Sequence, residues 1–354
     1  MKITIVTGSN GLVGSEVAKF FHKKNFYIHG IDNDKRSYFF GKSASTRQNG
    51  KKLKKELKNY KLSNIDIRNF RALEKIFKKY KKKIKCIVHA AAQPSHDWAI
   101  KEPQTDYSIN ANGTLNLLIL TQKYCKNAVF IQVSTNKVYG DTPNKLPIIE
   151  RKTRYELSKK HFFYKGINEE MSIDNSTHSL FGVSKLSADL LVQEYGKNLK
   201  MKTGVFRLGC ITGASHAGAQ LHGFLSYLFK SINENIPYTI FGFKGKQVRD
   251  NIHAYDLASC FWRFYQKPRK GEVYNLGGGR KNSCSILEAI KLIERITKKK
   301  SRYKFSKDNR TGDHIWYISD NNKFAKHYPG WKITKSLSKI ILEMKDSCKK
   351  IKNS

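Results

Sequence analysis

The chain has 354 residues, of which 39% are hydrophobic, so it is long enough to form one large or two medium domains with a sizeable core. Its formal net charge is +39, but the lysines are spread over nearly every predicted surface helix, as at 51–55, 78–83 and 298–300. A nucleic-acid interface would concentrate the charge beside stacking aromatic residues. The composition therefore argues against a specific nucleic-acid role, although a positive field would attract an anionic nucleotide.

The cysteines and the hydropathy pattern indicate the compartment. The six cysteines have no paired metal-ligand spacing, so we predict reduced thiols and no metal site. The first strand begins at Lys2, which leaves no room for the roughly 7 to 15 apolar residues of a signal sequence. No apolar run approaches the roughly 18 residues of a membrane helix. We expect a cytoplasmic protein without a membrane partner.

A glycine-rich turn follows the first predicted strand, residues 3–6. Gly8 allows a tight turn, Gly11 removes a side chain that would block a pyrophosphate, and Gly14 lets the next helix pack against the strand. The N-terminus of that helix then faces the phosphates. We therefore expect a dinucleotide to contact Gly8, Asn10, Gly11, Leu12, Val13 and Gly14.

The second predicted strand, residues 26–31, ends in an acidic residue that bears on the choice of dinucleotide. Asp32 suits a ribose 2′-hydroxyl and would repel a 2′-phosphate, which favours NAD, with Asn33 beside it. Lys35 and Arg36 lie close enough to keep NADP as an alternative.

Apolar strands at 84–90, 128–134 and 203–207 alternate with amphipathic helices at 105–124 and 177–198. This alternation predicts an α/β fold with a doubly wound parallel sheet. After residue 208 the elements are shorter, with helices near 221–233, 255–265, 285–297 and 336–348. We predict one domain at 1–207 and a smaller one at 208–350, partly interleaved with the first. Residues 36–49 and 141–176 are predicted to be long loops on the ligand side of the sheet.

Further candidate residues lie at the ends of predicted strands. Asp66 and Ile67 are placed to meet an adenine, although Asp66 is equally suited to cap the helix at 69–80. The small residues Ala90, Ala91 and Ala92 allow either close approach of a cofactor or close helix packing. Asn110 is expected to hold a water or the backbone near the catalytic centre.

Two segments would together place a hydroxyl and an ammonium group beside a nicotinamide. They are residues 134–141, Ser-Thr-Asn-Lys-Val-Tyr-Gly-Asp, and the later pair Ser184 and Lys185. With these motifs the chain resembles the extended short-chain dehydrogenase/reductases that modify nucleotide sugars, and among them most the CDP-paratose (CDP-tyvelose) 2-epimerases. The resemblance extends from residue 1 to about 349, and residues 153–156 and 245–250 are its other distinctive elements.

The resemblance implies a Rossmann sheet with a C-terminal substrate domain, NAD as cofactor, and roles for single residues. Thr135 would bind the reacting sugar oxygen, and Lys185 would hold the nicotinamide ribose and lower the pKa of a tyrosine four residues earlier. That position is Phe181, which cannot accept the hydroxyl proton. Three explanations are open: another group takes the proton, the enzyme works by a modified route, or the chain binds a nucleotide sugar without turning it over. For the first, the candidate substitutes are Lys185, His178, Tyr139, Tyr164 and Cys210.

The resemblance also implies a nucleotide-sugar site. Arg249 and Arg310 match arginines that contact the nucleotide or its diphosphate, for which guanidinium donors are well suited. Tyr238 is placed either to stack on a pyrimidine or to lie in an ordinary strand. Cys210 stands where many relatives have asparagine. Asn136 and Lys137 follow Thr135 where dehydratases carry an Asp-Glu pair, which ranks dehydration low.

The resemblance implies a nucleotide-sugar epimerase that works by transient NAD-dependent oxidation, at C2 of a CDP-hexose. A 4-epimerase uses the same hydride cycle, and Phe181 also keeps open a nucleotide-sugar-binding protein with impaired catalysis. The resemblance further implies a homodimer or homotetramer formed through the helices at 105–124 and 177–198.

Overall fold

The computed structural model describes residues 1–213, 223–308 and 312–352, and the side chains as far as residue 348. The strands in chain order are β1 Ile3–Thr7, β2 Tyr27–Ile31, β3 Tyr60–Ser63, β4 Ile84–His89, β5 Val129–Thr135, β6 Ile149–Glu150, β7 Tyr155–Glu156, β8 Lys202–Leu208, β9 Cys210–Thr212, β10 Tyr238–Phe241, β11 Val248–His253, β12 Glu272–Leu276, β13 Ser283–Ser285, β14 Tyr303–Ser306 and β15 Trp316–Tyr317.

The α-helices are α1 Leu12–His22, α2 Lys35–Phe40, α3 Arg47–Glu56, α4 Phe70–Tyr80, α5 His96–Lys101, α6 Pro103–Tyr107, α7 Gly113–Cys125, α8 Leu180–Lys197, α9 Phe224–Asn233, α10 Ala254–Gln266, α11 Ile286–Thr297, α12 Asn322–His327 and α13 Leu337–Lys352. Short 3₁₀ turns occur at Lys42–Ala44, Lys81–Lys83, Asn136–Tyr139, Thr142–Lys145, Phe162–Lys165, Phe243–Gly245 and Arg280–Asn282. Within the described ranges, none of these helices is both long and apolar enough to cross a membrane.

The central sheet has the strand order β12-β8-β5-β4-β1-β2-β3, and its strands lie wholly or mainly in one compact unit formed by residues 1–138, 180–207 and 257–274. The pairs β3–β2, β2–β1, β1–β4 and β4–β5 are all parallel. Strand order reverses at β1 and β4, and ligands of open α/β sheets bind outside the carboxyl ends of the strands at such a point. The predicted doubly wound parallel sheet is confirmed.

The sheet carries the core of this unit because helices cover both of its faces. All five residues of β1 are buried, which is the pattern of a parallel strand packed on both sides. Ile5, Ile87 and Phe130 from neighbouring strands join Leu117 of α7 and Val192 of α8 in one apolar cluster. This packing fixes the strand ends from which the candidate site is built.

Two segments of this unit differ from the sequence prediction. The predicted loop at 36–49 contains α2 and the beginning of α3, so that prediction was wrong. The carboxylate of Asp34 accepts hydrogen bonds from Thr46 N at 2.7 Å and Ser45 Oγ at 2.8 Å, which ties the two helices together. The predicted helix at 105–124 is instead α6, a π-helical turn at Ser108–Asn112 and α7. Such π-helical turns often mark functional sites.

The second compact unit comprises residues 139–179, 208–256 and 275–354. In it β11 pairs with β13, β15 and β9, while β10 pairs with β14 and β6 with β7. Leu228 of α9, Ile240 of β10, Ile290 of α11 and Ile341 of α13 share its apolar core. Compared with the predicted division at 207/208, both units are discontinuous, because 139–179 groups with the later residues and 257–274 with the earlier ones.

Candidate functional site

The three glycines of the loop between β1 and α1 differ in the space that surrounds them. Gly8 has a φ of +65°, and a Cβ there would lie 2.8 Å from the backbone nitrogen of Ala91. A Cβ on Gly14 would lie 2.1 Å from the carbonyl oxygen of Gly8, whereas the nearest atom to a Cβ on Gly11 is 3.3 Å away. Gly8 and Gly14 are therefore required by packing within the chain. Gly11 keeps a surface open at the N-terminus of α1.

Asp32 holds this loop in place. Its carboxylate accepts hydrogen bonds from the backbone nitrogens of Asn10 and Asp34, each at 2.9 Å. Burial raises the pKa of Asp32, while these two hydrogen bonds act to lower it. The carboxylate thus lies directly beside the glycine loop, at the carboxyl end of β2.

The loop also has hydrogen-bonding groups without partners in the described part of the chain that a dinucleotide would satisfy. The side-chain oxygen of Asn10 is buried and has no hydrogen-bond partner among the described residues. Helix α1 begins without a side-chain cap and without an acidic residue in its first turn. Free N–H groups at a helix start bind phosphate, and a buried amide oxygen needs a donor. These residues fit NAD.

The predicted adenine contacts divide into two kinds. Asp66 accepts hydrogen bonds from Arg68 Nε at 3.0 Å and from Asn33 Nδ2 at 3.2 Å. Burial acts to raise the pKa of Asp66, but the hydrogen bonds from Arg68 outweigh it and hold the pKa below its usual value. Asn69, and not Asp66, caps α4, so the capping interpretation of Asp66 was wrong. The side chain of Ile67 is packed in the apolar core, which leaves only its backbone for a ligand.

The three small residues after β4 serve the glycine turn. The backbone nitrogen of Ala90 donates to the carbonyl oxygen of Thr7 at 3.2 Å, and that of Ala91 donates to Thr7 Oγ1 at 3.2 Å. Ala90, Ala91 and Ala92 are half-buried. Their size lets the turn at Gly8 pack against this strand end, beside any ligand that the loop holds.

A buried polar network lies below the site. The side-chain nitrogen of Asn110 donates to Ser184 Oγ and Asp106 Oδ1, both at 3.0 Å, and to the carbonyl oxygen of Gln93 at 3.1 Å. Its side-chain oxygen accepts from the backbone nitrogen of Gln93 at 3.0 Å. Burial raises the pKa of Asp106 to about 6. The backbone that Asn110 holds is therefore the segment following β4.

Lys185 is the cation of the site. Its Nζ donates to the carbonyl oxygen of Val133 at 2.9 Å, and the residue is only 4% exposed. Burial lowers the pKa of Lys185 to about 8, although Asp189 and Asp106 act to raise it. A lysine in this range remains mostly protonated at neutral pH and titrates just above it.

Two adjacent hydroxyls at the end of β5 have different surroundings. Ser134 Oγ donates at 3.0 Å to Asp189, which forms a buried ion pair with Arg207. Thr135 is half-buried, and its Oγ1 accepts from the backbone nitrogen of Lys137 at 3.3 Å. Because successive side chains of a strand alternate, Ser134 binds α8 while Thr135 faces the opposite side. Asn136 follows and is buried.

Phe181 lies one helical turn before Lys185 on α8 and is 7% exposed. Its ring contacts the imidazole of His96 edge to face, with 4.9 Å between the ring centroids. The sequence analysis missed His96, which is the first residue of α5. Its position six residues after the predicted strand end at 90, on the ligand side of the sheet, was the signal that could have identified it.

The proposed substitutes for a tyrosine other than Lys185 belong to the second unit and are already engaged there. Tyr139 donates from its hydroxyl to Asn275 Oδ1 at 2.8 Å inside the core. The Nε2 of His178 is hydrogen-bonded to the carbonyl oxygen of Ile173 at 2.9 Å. The ring of Tyr164 lies 3.8 Å from the guanidinium carbon of Arg280. Cys210 is half-buried on β9, opposite Asn251 of β11.

The residues of the second unit that were predicted to bind a nucleotide sugar are only partly free of contacts within the chain that would compete with a ligand. Arg249 donates to Asp313 Oδ1 at 2.5 Å and to the carbonyl oxygen of Val248 at 2.7 Å. Arg310 lies outside the described residues. Tyr238 is 7% exposed and packs in the core near Tyr227, so stacking on a base is not supported and the strand interpretation holds. The described part of the chain contains no cluster of three metal-ligating side chains.

Comparison with known proteins is consistent with this geometry. The model of the NAD dependent epimerase/dehydratase family matches residues 4–277. CDP-paratose 2-epimerase of Salmonella typhi is 33% identical over 82% of this chain and 83% of its own length. UDP-glucuronate 4-epimerase of Thermodesulfobacterium geofontis is 26% identical over 99% of this chain and 98% of its own.

One solved structure is similar to this chain over nearly its whole length. It is a tyrosine-to-phenylalanine variant of UDP-glucuronic acid 4-epimerase from Bacillus cereus, in complex with UDP-4-deoxy-4-fluoro-glucuronic acid and NAD. It is 25% identical to this chain, covers 99% of both chains and superposes with a TM-score of 0.76.

Proposed function

Because the chain belongs to the NAD dependent epimerase/dehydratase family, with NAD as cofactor, we propose that it epimerises a nucleotide-diphosphate sugar, at C2 of a CDP-hexose. The observation that carries the proposal is the buried Lys185 beside the end of β5, in the same unit as the glycine loop and Thr135. The 33% identity to CDP-paratose 2-epimerase supports the choice of base and carbon.

The residues of the site have separate tasks in this reaction. The glycine loop and Asp32 would hold the NAD, and Lys185 would donate to its nicotinamide ribose. When bound, NAD takes a hydride from the sugar carbon and returns it, so the cofactor is not consumed. Thr135 would hydrogen-bond the hydroxyl at the carbon that is oxidised. The 2-keto sugar must then turn over in the pocket so that the hydride returns to its opposite face.

The neighbouring residues argue against elimination of water. Dehydration needs an acid and a base at the sugar, and the two residues after Thr135 are Asn136 and Lys137. A 4-epimerase remains the alternative among the epimerases, since UDP-glucuronate 4-epimerase is similar over nearly the whole chain. The two reactions differ in which carbon faces the nicotinamide.

A second candidate is a nucleotide-sugar-binding protein with impaired catalysis, and the observation that favours it is Phe181. The phenylalanine variant of the Bacillus cereus epimerase holds both a UDP-sugar and NAD. Replacement of that tyrosine by phenylalanine is thus compatible with binding of both ligands in that enzyme.

The experiment is proton NMR of the purified protein with CDP-paratose, CDP-glucose, UDP-glucose and UDP-glucuronate, together with identification of the released cofactor. A C2 epimer formed from a CDP-sugar with NAD unspent is the expected result. A C4 epimer of a UDP-sugar would establish the alternative reaction. Bound NAD and bound CDP-sugar with every sugar unchanged would favour the binding protein.

For the assembly we propose a homodimer or homotetramer in the cytoplasm. Leu180, Val183 and Leu190 on α8 are 47%, 42% and 43% exposed, and such apolar residues on one helix support self-association. Light scattering after size-exclusion chromatography tests this, and a mass of one chain at micromolar concentration would contradict it.

A further inference from the structure

We propose that His96 is the proton acceptor of the reaction and takes the role that Phe181 cannot perform. The inference rests on the proposed function and goes beyond it, because it assigns the proton to a residue outside the motifs that identify the family. It also differs from the substitutes considered from sequence, which did not include His96.

The first observation is the contact between the two rings. The centroids of His96 and Phe181 are 4.9 Å apart, with an angle of 64° between the ring planes. Edge-to-face contacts of this kind hold two rings in a defined orientation. Phe181 is buried and His96 is half-buried, so the imidazole is the more accessible ring of the pair. A titratable ring, the imidazole of His96, therefore contacts the side chain at position 181.

The second observation is the rigidity of the turn that carries His96. The side chain of Gln93 accepts from the backbone nitrogen of Ser95 at 2.5 Å and donates to the carbonyl oxygen of Ser95 at 2.8 Å. Ser95 Oγ in turn accepts from the backbone nitrogen of Trp98 and caps α5. His96 is the next residue after a backbone segment that is fixed on both sides. A group held in this way is preorganised for proton transfer.

The third observation is that the same network holds Phe181. Gln93 Nε2 donates to Asp106 Oδ1 at 2.8 Å, and Asn110 links Asp106 to Ser184. Ser184 Oγ donates to the carbonyl oxygen of Phe181 at 3.1 Å. One buried set of hydrogen bonds therefore positions α5 and the first turn of α8 together, which fixes the backbone that carries His96 relative to Phe181 and Lys185.

The chemistry distinguishes His96 from Lys185. Imidazole has an unperturbed pKa near 6.5, so histidine commonly accepts and returns a proton at neutral pH. Lys185, with its pKa at about 8, is mostly protonated at pH 7 and already donates to Val133. It suits the role of a hydrogen-bond donor better than that of a base.

The proposed step moves one proton and one hydride away from the same sugar carbon and its oxygen. The O–H bond of the sugar hydroxyl breaks and its proton moves to the unprotonated nitrogen of His96. The C–H bond at the same carbon breaks, its electron pair leaves as hydride to NAD, and the carbon becomes a ketone. In the return step the ketone takes back the hydride on its other face and the oxygen regains the proton from His96. No further oxidant or reductant is needed.

The first test uses His96→Gln and His96→Asn with CDP-paratose. We expect kcat to fall by about 10² to 10⁴-fold with KM within about threefold of wild type, as for removal of a general base. Asp97→Asn, at the adjacent exposed position of α5, is the matched control and should be unchanged. Adding Phe181→Tyr to His96→Gln should recover at least about tenfold of the lost rate, because a phenol then stands at position 181.

The second test does not depend on turnover. The protein used is Lys185→Met. The ring signals of His96 are identified in its NMR spectrum by their absence when His96→Gln is added to the same variant. We expect CDP-paratose to shift these signals, and CDP, which lacks the sugar, to shift them much less.

The outcomes separate the two proposals. Equal kcat for wild type and both His96 variants, or His96 signals unmoved by bound CDP-paratose, would overturn the role of His96 alone. A folded wild type that binds CDP-paratose and the other nucleotide sugars without converting any would overturn the proposed function, and the role of His96 with it.

Discussion

The ammonium nitrogen of Lys185 donates a hydrogen bond to the carbonyl oxygen of Val133, 2.9 Å away at the end of β5. The carbonyl lies two residues before Thr135, so this hydrogen bond ties the lysine to the end of the strand that carries the hydroxyl of the proposed reaction. Burial at this place lowers the pKa of Lys185 to about 8. The packing of Lys185 at the end of β5 thus sets both the position and the pKa of this amine.

Replacing this lysine should separate binding from turnover. Lys185→Met is expected to lower kcat by at least about 100-fold, because it removes the cation that in the proposed function would orient the nicotinamide ribose. The measurement is the initial rate of epimer formation, together with the NAD content of the purified variant. Lys197→Met, on the exposed end of α8, is the control. Full activity of Lys185→Met would contradict the assignment.

The charge of Asp106 should tune the pH profile. Asp189 and Asp106 raise the pKa of Lys185 against the larger effect of burial. Asp106→Asn removes one of these charges, so the pKa of Lys185 should fall below about 8 and the alkaline limb of kcat/KM should move to lower pH. Asp97→Asn should leave that limb in place. An alkaline limb that stays put, or moves upward, in Asp106→Asn would be evidence against this coupling.

Asp106 should also make stability depend on pH. Its folded pKa of about 6 lies above the ordinary 3.8, so the native state binds the proton more tightly than the unfolded state. Its contribution is therefore fully present below about pH 3.8 and is lost as the pH rises through 6. Relative to wild type, Asp106→Asn should gain on the order of 2 kcal/mol in unfolding free energy between pH 4 and pH 7.

Urea unfolding at pH 4, 5, 6 and 7 measures this difference. A constant difference between Asp106→Asn and wild type over the whole range would show that the carboxyl does not titrate between those values.

Two glycines of the loop form a matched pair. Gly14→Ala places a Cβ 2.1 Å from the carbonyl oxygen of Gly8, so it should destabilise the fold by several kcal/mol or prevent folding. Gly11→Ala meets its nearest atom, the carbonyl oxygen of Gly8, at 3.3 Å, so it should lose much less stability than Gly14→Ala but lose NAD affinity at least about tenfold. Thermal unfolding and calorimetric titration of NAD measure the two effects. Unchanged NAD affinity in Gly11→Ala would exclude the pyrophosphate from this surface.

Much of the fold was predictable because its signals are local. The strand, glycine turn, helix and acid from Ile3 to Asp32 lie in one short stretch, and each residue type there has a steric or electrostatic reason that needs no partner elsewhere. The alternation of apolar strands with amphipathic helices predicted the parallel sheet for the same reason. Lys185 could be placed near the end of β5 from its motif alone.

The remaining features depend on residues that are distant in the sequence. Helices α2 and α3 form where a loop was predicted because Asp34 bonds to Thr46, and no local pattern reports that contact. Tyr238 has the sequence of a half-exposed strand residue, but the packing of α9 against β10 buries it. The interleaving of 139–179 with later residues follows from tertiary contacts and not from composition.

The sequence by itself determined the cofactor loop and the acid at Asp32, because both are fixed by residue type and spacing, and its resemblance to the family pointed to the cation at Lys185 and to the missing phenol at Phe181. Only the tertiary structure decided what stands beside Phe181. His96 lies on a different helix, 85 positions earlier in the chain. The two rings meet because a buried network from Gln93 to Ser184 holds α5 and α8 together, and a contact made through packing leaves no periodic trace in the sequence.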